Sequence, residues 1–203
     1  MGRGLVLSYG INDEKTRHGC PFYDRWKGML RRCYGDRAHK SYAGCRVAEE
    51  WLRFGNFKRW MELQPWQGNH LDKDILRPDE KLYCPETSVF VPQFVNTIMS
   101  DKPSGVSGLP AGVVKTKRGR PFMAMIRTNG SEKTFLGVFD SPADAHAAWA
   151  SEKAKALRHA ICLYEKTEKH DERICQALLR RAEQLDRDAA EIHSQPAPAT
   201  ACR

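Results

Sequence analysis

Several features are missing from this 203-residue chain, and each removes a class of protein. No run of 18 residues is continuously apolar, so no membrane span is expected. No apolar h-region follows Met1, so no secretory signal is expected, and the chain is assigned to a reducing cytosol. No C-x-x-C pair occurs among Cys20, Cys33, Cys45, Cys84, Cys162, Cys175 and Cys202. Structural Zn²⁺ would have to gather Cys20, Cys33, Cys45 and Cys84 from scattered positions; buried thiols are the expectation instead. Acid is the scarcer charge, with 25 Asp and Glu against 33 Lys and Arg, a formal net charge of +8. A positive field of that size suits a polyanionic partner.

What is present falls into segments. Residues 1–18 carry Gly2, Gly4 and Gly10 among mixed polar residues and are expected to be poorly ordered. Phe22, Trp26, Met29, Leu30 and Cys33 then recur at the spacing of one helical face, with Arg25, Lys27, Arg31 and Arg32 on the other. Val47, Trp51, Phe54, Phe57 and Trp60 repeat the theme as core anchors. His70 to Asn96 collects acidic, basic and amide side chains between structural elements. Leu71, Ile75 and Leu76 frame a strand-like run carrying Asp72, Lys73 and Asp74, and Ser88 to Val91 reads as a second strand. Pro92 sits where a helix can begin, which predicts a short helix over 93–99.

The strand–loop–strand–helix order, with Leu-Asp-Lys-Asp at 71–74 and Tyr-Cys-Pro-Glu-Thr at 83–87, resembles the HNH endonucleases, a family with a ββα-metal fold. FYDRWKGMLRRCY and SYAGCRVAEEWLRFGNFKRWM are similar to the N-terminal half of phage-encoded members. The resemblance implies Asp72 and Asn96 as ligands of Mg²⁺ or Mn²⁺. It puts Lys73 where the family has its water-activating His, and Thr87 where it has the Asn that orients that His. A threonine hydroxyl cannot replace both faces of an amide, and a lysine is protonated at neutral pH unless strongly desolvated. Either the chemistry is rerouted, with His70 as the substitute base, or it is lost.

Residues 101–110, rich in Gly, Pro and Ser, read as a linker. Beyond them the period changes to two: Gly112 to Lys117, Phe122 to Arg127 and Lys133 to Phe139 form three strands, with Asn129-Gly130 as a hairpin turn. Ser141-Pro142 opens a helix whose inner stripe is Ala145, Ala148, Trp149, Ala156 and Leu157. FMAMIR, FLGVF and SPADAHAAW in this order resemble the APETALA2-type DNA-binding domain of plant ethylene-response factors and phage homing endonucleases. That resemblance implies that the sheet face opposite the helix enters the major groove of double-stranded DNA. By alternation the face holds Val114, Thr116, Met123, Met125, Arg127, Lys133 and Phe135, and a slip of one residue would invert every assignment. Lys115, Lys117, Arg118, Arg120, Arg127 and Lys133 supply basic charge against Glu132. With one arginine, two methionines and a phenylalanine facing the groove, binding is expected to rest mainly on phosphates, with Met123 or Met125 on thymine methyls.

Ile174, Leu178, Ala182, Leu185, Ala189 and Ile192 mark a last helix, expected to pack back on the body, and residues 194–203 an unstructured tail. The fold class expected is α+β, with domains over 19–100 and 111–162 and a C-terminal helix over 163–193. The expected protein is a monomer in the cytoplasm of a phage-infected bacterium: a metal-dependent DNA nickase, a DNA-binding relative without scission, or a structural protein on a recruited fold.

Overall fold

A computed structural model describes residues 5–100, 108–116, 121–128 and 133–194. The protein is α+β and forms two compact units, Met1–Gln93 and Phe94–Arg203. The division falls at the start of a short helix, earlier than the sequence boundary at 100.

In the first unit the sequence Phe22-x₃-Trp26-x₂-Met29-Leu30 builds α1 (Pro21–Tyr34), which buries Trp26, Met29 and Leu30. Pro21 opens the helix, where its missing N–H costs nothing. A two-residue strand, β1 (Arg46–Val47), and a 3-10 turn at Glu49–Leu52 lead into α2 (Phe54–Glu62). Trp51, Phe54, Phe57 and Met61 close on the α1 face to make one aromatic core. Each large side chain fully buried there contributes about 1.5–3 kcal/mol. The indole of Trp26 donates to the carbonyl of Trp51 at 2.7 Å, so the polar edge of the ring is also satisfied.

β2 (His70–Asp72) pairs antiparallel with β4 (Val89–Val91), and β3 (Leu82–Tyr83) pairs parallel with β1. The expected strand through Asp74 stops at Asp72, because the Asp72 carboxylate accepts the backbone N–H groups of Asp74 at 2.7 Å and Ile75 at 3.0 Å and turns the chain. From Val6 to Asn12 the expected looseness of residues 1–18 is also corrected, while residues 1–4 lie outside the described residues. Ile11 donates to the Leu52 carbonyl at 2.8 Å and accepts from Phe54 at 3.0 Å, and Tyr9 stacks on Tyr34 with ring centroids 4.1 Å apart. Gly10 explains the fit: a Cβ there would lie 2.5 Å from Cδ1 of Leu30, so only glycine lets this backbone rest on α1.

The second unit begins with α3 (Gln93–Met99), as the Pro92 signal predicts. β5 (Val113–Lys115), β6 (Phe122–Ile126) and β7 (Thr134–Phe139) form an antiparallel sheet in that order. α4 (Pro142–Tyr164) is capped by the Ser141 hydroxyl, which accepts the Asp144 N–H at 3.0 Å. Val113 and Ala124 meet Ala145 beneath it. Gly112, at φ +76°, brings the backbone so close to Trp149 that a Cβ would sit 2.1 Å from the indole. Ala145, Trp149 and Leu157 are buried as expected, whereas Ala148 and Ala156 are only half-buried. The buried stripe continues through Ala160 to Tyr164, so α4 runs past the expected boundary at 162. α5 (Glu172–Ser194) doubles back along α4, burying Ile174, Leu178, Ala182, Leu185 and Ala189, with Arg158 paired to Asp186 at 2.5 Å.

Candidate functional site

Register decides which side chains of the first unit share a surface. Leu71 lies opposite Phe90 in the β2–β4 ladder and both enter the aromatic core. His70 and Asp72, one residue to either side, therefore share the other face of β2, about 7 Å apart along the strand. Both are half-buried. Burial pushes the Asp72 carboxyl above the ordinary carboxylate range, against the two backbone N–H bonds that pull it down.

Lys73 does not join them. Its side chain is 3% exposed, its ammonium is bound to Asp74, and it lies over the Tyr83 ring at 5.7 Å from the centroid. Burial opposes the charge, but the bond to Asp74, that carboxylate's field and the Cys45 thiol outweigh it and hold the lysine protonated more firmly than usual. A buried ammonium that keeps its proton cannot serve as a base, so the position expected to take part in catalysis is occupied by a structural cation. Thr87 is likewise spent on the fold: fully buried, its hydroxyl donates to the Leu82 carbonyl at 2.6 Å and accepts the Cys84 N–H at 3.3 Å. It closes the 83–87 loop on itself.

Asp72 has the oxygen chemistry that Mg²⁺ takes, a cation commonly held by one or two carboxylates with waters and substrate phosphates. Among the described residues no three His, Cys, Asp or Glu side chains gather as a metal cage. Asn96 is half-buried on α3, in the second unit. Cys20, Cys33, Cys45 and Cys84 are free thiols, and burial, reinforced by neighbouring Cys45, pushes Cys33 up to about 12. Burial around Cys33 thus favours its thiol over its thiolate.

In the second unit the sheet has one face on α4 and one open. Val113 pairs with Ala124 and Ala124 with Gly137 on the helix side. Alternation then places Val114, Met123 and Val138 in one row across the open face, with Met125 opposite Phe135 in the next. Val138 is absent from the sequence-derived face, because strict alternation from Phe135 puts Gly137 there. A register shift between Ala124 and Met125 leaves Leu136 as an extra residue of β7. Gly137, at φ +150°, accommodates this bulge, and a glycine inside a strand was the available signal for it.

Lys115, Arg127 and Lys133 are exposed at the strand ends. Thr116 is half-buried, its N–H donating to the Pro121 carbonyl at 2.9 Å. Lys117, Arg118 and Arg120 lie outside the described residues, as does the Asn129-Gly130 turn. No family model, no curated protein and no solved structure matches this chain. Among the described residues no helix is long and apolar enough to cross a membrane.

Proposed function

We propose that this chain is a DNA-binding protein of the phage HNH homing-endonuclease type, acting on double-stranded DNA in the host cytoplasm. The observation that carries the reading is the open sheet face of the second unit, with exposed Arg127 and Lys133 at one end of it, on a chain of net charge +8. Cations at the end of a sheet face on which, among the described residues of this unit, no helix packs suit phosphate contacts flanking a groove.

Scission is assigned to the β2–β4 hairpin. Asp72 would hold Mg²⁺ or Mn²⁺, and the chemistry such an ion would supply is stabilisation of charge on the leaving oxygen. His70, on the same strand face, takes the proton of the attacking water at an imidazole nitrogen. A second reading, DNA binding without scission, is favoured by the structural use of Lys73 and Thr87.

Supercoiled plasmid incubated with Mg²⁺ or Mn²⁺ separates the two. Nicking that EDTA, Asp72→Ala and His70→Ala each abolish, and that Lys73→Met leaves in place, supports the nickase. Salt-dependent DNA binding with intact plasmid under both metals leaves the second reading. Absence of binding even at low salt removes both.

A further inference from the structure

The row Val114–Met123–Val138 and the pair Met125–Phe135 make the open face of the β5–β6–β7 sheet apolar at its centre. Phe135 is 57% and Val138 42% exposed, an unusual cost for large apolar side chains with polar residues available at every position. Charge lies beside them: Arg127 follows β6 and Lys133 precedes β7 at one end of the same face, both exposed. A protein partner with an apolar patch would fill the centre and leave these cations without a purpose. A DNA major groove matches both parts, because its walls are phosphate and its floor carries the C5-methyl group of each thymine. Width agrees as well. Three strands spaced about 4.8 Å apart span about 10 Å between the outer two, within a groove about 12 Å wide.

Resting on the DNA-binding reading above, we infer that this face selects thymine-rich duplex by burying thymine C5-methyl groups against Met123, Met125, Phe135 and Val138, with Val138 a specificity-determining residue. Side chains without hydrogen-bond donors cannot read base-edge acceptors, so the methyl is the feature of the groove floor they can distinguish. Each methyl buried is equivalent to about a fourfold gain in affinity, the factor that removing one methylene-sized group from water gives.

The full chain is titrated against an alternating dA–dT duplex and the same duplex with deoxyuridine at every thymine position, at fixed salt. The two duplexes share phosphates and hydrogen-bonding edges and differ in the methyls. The expected result is binding at least fourfold tighter to the thymine duplex. Val138→Thr, close in shape, and Phe135→Ser are both at exposed positions and leave the fold intact by circular dichroism. Each is expected to reduce that preference while keeping the salt dependence that reports phosphate contacts. Equal affinity of the native chain for both duplexes overturns the methyl selection and leaves DNA binding standing. A preference that survives in both variants assigns it elsewhere and overturns the inference too. No binding to either duplex at low salt overturns the DNA reading itself and leaves the face to a protein partner.

Discussion

Around Trp26, Trp51, Phe54 and Phe57 the first unit fills its interior with rings, whereas α4 of the second buries Ala147, Ala150, Ala154 and Ala160 and α5 adds Ala177, Ala182 and Ala189. Rings supply area, so the first unit is held by contact surface collected from short, irregular elements. Alanines supply almost none; they let two helices of 23 residues each approach until backbones and the remaining large side chains make the contact. The two designs fail differently. A ring core is sensitive to subtraction, and an alanine seam to addition.

The largest expected effect is subtraction in the first unit. Phe57 is fully buried and meets Trp51 edge-to-face at 5.2 Å. Phe57→Ala is expected to cost about 3–5 kcal/mol. Urea titration followed by tryptophan fluorescence reads the first unit chiefly, since Trp26, Trp51, Trp60 and Trp66 all lie in it. Addition in the second unit comes next. Ala154 is fully buried on α4, and Ala154→Leu is expected to cost about 1–3 kcal/mol through overpacking. Its check is the thermal loss of far-ultraviolet helical signal; an unchanged midpoint would mean that the seam has slack and that the comparison fails.

The smallest effect lies at the start of α5. The Asp171 carboxylate caps the helix by accepting the Arg173 N–H at 2.9 Å and is gripped by the Arg173 guanidinium at 2.6 Å. Asp171→Ala is expected to cost about 1 kcal/mol at neutral pH. The guanidinium bond, ahead of an opposing effect of burial, holds the Asp171 carboxyl below the ordinary carboxylate range. A carboxylate depressed in the folded state stabilises above its unfolded pKa, and that contribution disappears as pH falls through the folded value. Stability measured below about pH 4 should therefore fall more steeply in the native chain than in Asp171→Asn.

Local signals carried much of the second unit. Ser141-Pro142 fixes the start of α4, period-two alternation finds the three strands, and Pro92 marks α3, because each rests on neighbours in sequence. The bulge at Gly137 was not read, and it moves Val138 onto the open face. In the first unit the helix of Phe22 to Cys33 was legible, while the parallel pairing of β1 with β3 was not: two residues on each side leave no periodicity to detect. The packed segment from Val6 to Asn12 escaped because its partner residues, Leu52 and Phe54, lie far along the chain and its key residue, Gly10, looks like flexibility in a composition. Lys73 and Thr87 were recognised as departures from the family pattern, but their burial depends on Tyr83, Cys45 and Leu82, which only the fold brings to them.

The bridge between Ile11 and Arg53, the bond from Gly55 to Asp13 across 42 residues and the Arg46–Leu82 register give the first unit a history on the ribosome. Its earliest residues are held by partners made much later, and β2 finds its ladder only when Val89 to Val91 have emerged. At about 5–20 residues per second the aromatic face of α1 waits several seconds without its cover. The second unit pairs β5 with β6, β6 with β7 and α4 with α5, each a neighbour in sequence, and only the seat of α4 on the sheet waits for a distant partner. The N-terminal part of the first unit is thus completed late, and the apolar side chains of Trp26, Met29 and Leu30 are the ones left longest without cover.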